Sequence, residues 1–315
     1  MKVTVGIPTR NRAELVSQAV QSVLAQTHTD LEIVISDNAS TDDTVARLSQ
    51  LRDPRVVLLR QETNIGMAGN WSACLAAATG ELFLLLSDDD LLDPGALEAL
   101  HAPFVRGAGG VGATEIGVAY CPSRVIDIQG RELWKTEGGP AVEPAEQMLP
   151  AFWRGERGVY YCAVLVRTSD ARIYGYDWER FEMLVDLASW MRIALLRGHV
   201  ACADRALACY RLHSSNTSVG SQLLRWQTLT RALVEATVQV PLDQGRTASA
   251  ESLRRAGEML VSNAVVTAAL HAVRARKPVV PLLRDLVQVR DSLFTRYIAE
   301  RVLRDARKLG RFVGR

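Results

Sequence analysis

Leu82-Phe83-Leu84-Leu85-Leu86-Ser87-Asp88-Asp89-Asp90 runs five apolar residues without a break into three consecutive carboxylates. A short uninterrupted apolar run reads as a strand buried on both faces, as in a sheet covered by helices. Three negative charges at the end of such a strand repel one another, and burial raises the cost. A divalent cation removes that conflict, and carboxylate oxygens suit hard cations such as Mg2+ or Mn2+. Read without a ligand, the same residues are a solvated acidic turn, with Asp93-Pro94 starting the next helix.

Upstream, strands and helices alternate. Lys2 to Ile7 reads as a first strand, followed by the turn Pro8-Thr9-Arg10-Asn11-Arg12. Leu15, Ala19 and Val23, with Val16, Val20 and Leu24, form the stripes of a helix lying on a sheet. Leu31 to Ile35 is a second strand ending in Ser36-Asp37-Asn38, and Val56 to Leu59 is a third. Asn64-Ile65-Gly66 opens a further helix that Gly80 stops. This rhythm means βαβ units and a mostly parallel α/β sheet with helices on both faces. The ends of the first, second and fourth strands then fall on one edge. Thr9, Asp37 and Asp88 to Asp90 are expected to converge there, where open α/β sheets bind ligands.

Downstream the signals are mixed. Gly107-Ala108-Gly109-Gly110-Val111-Gly112 matches GxGxxG but follows a helix and precedes a strand, so it reads as a loop. A hairpin is expected at Ile128-Gln129-Gly130-Arg131, and Tyr160 to Val166 reads as a buried strand. The aromatic segment Tyr174 to Phe181 reads as core packing, or as a sugar-stacking wall if it borders a cleft. A helix is expected from Leu184 to Leu196, with Asp186 in its first turn, and closing strands near Val200 and Leu207. Beyond Val219 the pattern is helical: Leu223 to Val240, Ala250 to Arg276, and Pro281 to the end.

The 315 residues suffice for one large domain or one domain with an appendage. The net charge of +2 gives no case for nucleic-acid binding. From Glu251 onward 12 Arg and 2 Lys face 3 Asp and 3 Glu, so the basic charge is concentrated at the C-terminus. The final helix is amphipathic, with Arg301, Arg304, Lys308, Arg311 and Arg315 on one side. Peripheral membrane contact through it stays open beside simple packing. Five scattered cysteines read as reduced core thiols, and the start of the chain shows no signal-peptide pattern. With no apolar run near the ~18 residues of a membrane span, a cytoplasmic, at most membrane-peripheral, protein is expected.

Taken together, several stretches resemble inverting nucleotide-sugar glycosyltransferases of family 2, which have the GT-A fold. They are Val5-Gly6-Ile7-Pro8-Thr9-Arg10-Asn11-Arg12, Ser22-Val23-Leu24-Ala25-Gln26-Thr27, Glu32 to Asp42, Asn64-Ile65-Gly66, Ser87-Asp88-Asp89-Asp90 and Tyr210-Arg211-Leu212-His213. The resemblance covers residues 1–218, split into a nucleotide-binding half of about 1–95 and an acceptor half of about 96–218. Residues 219–315 form a C-terminal helical region outside it. It implies that Pro8, Thr9 and Arg12 border the nucleotide base, that Asp37 hydrogen-bonds it, and that Asn70 completes the pocket. It implies Asp88 at the ribose, Asp89 and Asp90 at a divalent cation (Mn2+ or Mg2+), and His213 near the metal and diphosphate. The commoner pattern has Asp where this chain has Ser87, so which of Asp88 and Asp90 joins Asp89 stays open. Asp186 matches the family's catalytic base, although many members carry Glu-Asp where this chain has Val185-Asp186.

The function implied is transfer of a sugar from a UDP- or dTDP-sugar to an acceptor hydroxyl on a glycan, a lipid-linked carrier or a small molecule. A homodimer stays open. Two other readings compete: a degenerate GT-A domain acting as a binding module, and a sugar-1-phosphate nucleotidyltransferase. The latter wants a Gly-rich, Arg/Lys-bearing loop after the first strand, where this chain has Pro-Thr-Arg-Asn-Arg.

Overall fold

The computed structural model describes residues 1–212 and 223–274. The elements run β1 (Val3–Thr9), α1 (Ala13–Leu24), β2 (Leu31–Asp37), α2 (Thr44–Leu48), β3 (Val56–Arg60), α3 (Gly66–Ala77), β4 (Leu82–Leu85), β5 (Leu91–Leu92) and α4 (Ala96–Arg106). They continue with β6 (Ile116–Tyr120), β7 (Ser123–Ile126), β8 (Glu132–Lys135), β9 (Val142–Pro144), α5 (Ala145–Trp153), β10 (Val164–Arg167), α6 (Thr168–Tyr174), α7 (Trp178–Phe181) and α8 (Val185–Arg197). β11 (His199–Cys202), β12 (Ala208–Arg211), α9 (Leu223–Asp243) and α10 (Thr247–Arg274) complete the described part.

The main sheet has the order β3-β2-β1-β4-β10-β6-β11-β9. β1 to β4 are mutually parallel, and β10 enters antiparallel between β4 and β6. Alternation along β4 explains its unbroken apolar run. Leu82, Leu84 and Leu86 enter the core on one face, with Val16, Val20 and Val23 of α1. Phe83 and Leu85 enter the core on the other, with Cys74 and Leu75 of α3. Both faces are covered, so both sets must be apolar. Gly6 allows α3 to sit this close. A Cβ there would lie 2.8 Å from Cys74 Cβ and 3.0 Å from the Phe83 ring.

A second sheet, β5-β12-β7-β8, flanks the acidic turn after β4. The expected hairpin joins β7 and β8. Two local expectations change. α4 begins at Ala96 rather than Pro94, because Asp93 is engaged by Arg124 (2.6 Å) and its carbonyl accepts from Ala96 N. The expected strand from Tyr160 holds only from Val164. Tyr161 to Ala163 form a tight helical turn closed by Ala163 N on Tyr160 O, and the Tyr160 ring stacks on Tyr210 at 4.1 Å. Gly107 to Gly112 form a tight loop bridged between Ala108 and Val111.

α9 and α10 share a core with the sheet domain. Leu229, Leu233, Val234 and Leu253 are buried in the same cluster as Trp190 and Met191 of α8 and Met148 of α5. The five cysteines are buried free thiols, as expected. Among the described residues no helix is long and apolar enough to cross a membrane. The expected helix from Pro281, with its basic face, lies outside the described residues.

Candidate active site

The parallel register aligns Thr9 at the end of β1 with Asp37 at the end of β2. β4 is paired to the other side of β1 and delivers the acidic turn to the same edge. Thr9 and Asp88 meet as expected, Thr9 Oγ1 donating to Asp88 Oδ2 at 2.7 Å, while Asp37 and Asp90, each 2% exposed, lie beneath this edge and do not line the cleft. A cleft of about 470 Å³ opens at this edge. Pro8, Thr9, Arg12, Asn70, Asp88 and Asp89 line it, and so does Asp186 from the start of α8.

Arg12 is the electrostatic centre of one wall. Its Nη1 donates to Asp88 Oδ1 at 2.9 Å and to Asp89 Oδ2 at 2.7 Å. Burial pushes the Asp88 carboxyl up to about 6 although Arg12 opposes it; the neighbouring Asp89 charge adds to the rise. The structure thus brings Arg12 to the acidic pair, a contact the sequence did not reveal. Asp90 goes the other way. It is 2% exposed and does not line the cleft. Its Oδ1 accepts from Arg211 N at 2.8 Å, and it is bonded to the Cys162 thiol. Burial and the Asp89 charge push its carboxyl well above the ordinary range. Arg211 braces this turn, donating Nε to Asp89 O, Nη1 to Ile128 O and Nη2 to Gln18 Oε1. His213 lies outside the described residues.

Short polar side chains hold together the turns after β1 and β2. Asp37 Oδ2 accepts from Ser40 N, while its buried Oδ1 has no partner among the described residues. Asn70 Nδ2 donates to Ser36 O at 2.9 Å, and its buried Oδ1 is likewise unpartnered among them. Asn38, which the sequence reading assigned no role, holds the wall together. It donates to Asn64 Oδ1 and Gly66 O and accepts from Ile65 N. Asn11 ties the turns after β1 and β2, accepting from Thr41 N at 2.7 Å. Asn11, Ala39 and Glu182 are the non-glycine residues with positive φ among those described, and all three flank the cleft or its walls. Strained backbone of this kind gathers at functional sites.

The opposite wall comes from the start of α8. Asp186 is half-buried, and its Oδ1 accepts from Leu187 N at 2.7 Å. Burial pushes its carboxyl up to about 6. Met183 and Trp71 line the cleft beside it. Trp71 packs edge-on against the buried Tyr176 at 5.4 Å, so that residue of the aromatic segment serves packing. Sequence periodicity offered no signal for Trp71, Met183 or Tyr210 as cleft residues.

Carboxylate oxygens on one wall, an unpaired acceptor at the end of β2 and a carboxyl poised near 6 on the facing wall suit a nucleotide-dependent group transfer. Residues 4–127 match the model of glycosyl transferase family 2. A Campylobacter jejuni GalNAc(5)-diNAcBac-PP-undecaprenol beta-1,3-glucosyltransferase is 40% identical over 102 residues, 31% of this chain and 33% of that enzyme. Staphylococcus aureus TarS 1–349 in complex with UDP-GlcNAc superposes with a TM-score of 0.59 at 15% identity, covering 88% of this chain and 93% of that one. The Pyrobaculum calidifontis mannosyltransferase PcManGT, in complex with GDP-Man and Mn2+, gives 0.56 at 16% identity, covering 95% and 83%. Residues 4–127 thus match glycosyl transferase family 2, and the chain has the fold of these solved structures, the GT-A fold.

Proposed function

We propose that the protein is an inverting glycosyltransferase that moves a sugar from a UDP- or dTDP-sugar to an acceptor hydroxyl. The observation that carries this reading is that Asp186 lines the same cleft as Asp88 and Asp89. In this reading residues of about 1–95 bind the donor. Asp37 Oδ1 accepts from the base, with Pro8, Thr9 and Asn70 around it, and Asp88 meets the ribose. Residues of about 96–218 receive the acceptor and supply Asp186.

The donor set fits a hard divalent cation held partly by the ligand. Mg2+ sites use one or two carboxylates plus substrate phosphates, and Asp89 offers one. Among the described residues no cluster of three ligating side chains stands ready by itself. A cation held there would supply Lewis-acid neutralisation of the charge on a departing nucleoside diphosphate. Asp90 takes no part in this reading; it holds Arg211 and the turn. Asp186 Oδ1 is engaged by Leu187 N, so Oδ2 takes the proton of the acceptor hydroxyl. A carboxyl at about 6 is ionised at neutral pH yet basic enough to accept that proton. Attack opposite the leaving group in a single displacement inverts the anomeric centre. The relative and neighbour that bear an undecaprenol-linked substrate name and a UDP-GlcNAc complex support a lipid-linked or glycan acceptor and a UDP donor.

Product analysis with a panel of UDP- and dTDP-sugars and Mn2+ tests the reading. Release of nucleoside diphosphate is expected. Pyrophosphate release would identify a nucleotidyltransferase, and no product from any donor would favour a binding module.

A further inference from the structure

Glu182 has φ 45° and ψ −121°, a backbone conformation that glycine ordinarily occupies. It sits between α7 and the tight turn Glu182–Leu184, which runs directly into α8. A glutamate persists in such a conformation only where its surroundings hold it. Here they hold it on three sides. Glu182 N donates to Trp178 O, closing α7. Phe181 is fully buried, and the Arg192 guanidinium lies 5.1 Å from its ring centroid. The Glu182 carboxylate takes both arms of one arginine: Arg225 Nε donates to Oε2 at 2.7 Å and Nη2 to Oε1 at 2.8 Å. This is a bidentate pair with fixed geometry.

Arg225 belongs to α9, outside the residues that match the family model. What it grips is the turn that aims the start of α8. Met183 and Asp186, one and four residues beyond Glu182, both line the cleft. A shift of this turn moves the Asp186 carboxylate. We infer that Arg225 and Glu182 form a clasp through which the C-terminal helix α9 positions Asp186 for acceptor deprotonation. Arg225 does not line the cleft and is a positioning residue. The inference rests on the reading of Asp186 as base.

Arg225→Ala, Glu182→Gly and Asp186→Asn are compared with wild type, using the nucleotide sugar that gives the highest diphosphate release. Misplacement of a reacting group by about 1 Å lowers turnover by up to about 100-fold. Arg225→Ala is expected to lower kcat at least about tenfold on that ground, with donor KM unchanged within about twofold. Glu182→Gly relieves the backbone, so its Tm is expected to hold or rise while kcat falls equally. A merely structural clasp would give the reverse pattern, with Tm lowered and kcat kept. Wild-type kcat in either clasp variant overturns the inference. If Asp186→Asn also turns over normally, the base assignment itself falls; if it is inactive while the clasp variants are normal, only the clasp falls.

Discussion

Asp186 carries the most specific claim about any single residue. Asp186→Asn is expected to bind donor normally and to lose about 10²- to 10⁴-fold in transfer, the usual worth of a positioned base. A kcat near wild type would contradict the assignment. The pH profile follows from the same group. Its carboxyl is raised from 3.8 to about 6, so kcat should fall as pH drops through about 6 and the base protonates. Stability runs the opposite way. Between about pH 4 and 6 the unfolded chain ionises this group while the folded protein holds it neutral, so folding grows less favourable as pH rises. Asp186→Asn escapes this and should be more stable at pH 7, by about 2 kcal/mol, with the difference gone below pH 4. Urea denaturation at the two pH values checks it.

Among the elements, the parallel core was readable because its residues obey two simple periods. β4 is apolar throughout, β1 and β2 are largely so, and α1 carries its stripe on one side. Gly6 was visible as part of a motif, but its reason is packing against α3. Gly6→Ala is expected to destabilise by about 1–3 kcal/mol, since the new methyl group meets Cys74 and Phe83 at overpacked distances. Glu32 at the start of β2 is a second case. Burial raises its pKa, but hydrogen bonds from Thr79, Thr4 and Lys2 outweigh it and hold the carboxylate at about 2. That stability is present above about pH 4.5 and is lost as pH falls toward 2. Glu32→Ala should cost about 2 kcal/mol at pH 7 and little at pH 2, as measured by chemical denaturation. What the sequence hid was side-chain direction. Three consecutive aspartates look equivalent, yet Asp88 and Asp89 meet Arg12 while Asp90 turns to Arg211. Arg12 reaches them along a flexible stem that no periodicity encodes. Glu182 gave no turn signal, because the residue that needs positive φ is neither Gly nor Asn.

On the scale of the whole molecule, residues from the ends of β1 and β4 and from the start of α8 line one cleft, and Arg225 of α9 holds the turn before α8. The central claim is that this cleft binds a nucleoside diphosphate together with a divalent cation. The most direct test is the Tm of the protein with UDP, dTDP or GDP, each with and without Mn2+. A ligand at about 100 times its Kd adds about 2.7 kcal/mol of stability, a Tm rise of about 5 °C or more. The account predicts that UDP or dTDP gives this rise only when Mn2+ is present, and that Asp89→Asn abolishes it. No rise with any diphosphate, with or without Mn2+, would contradict the account.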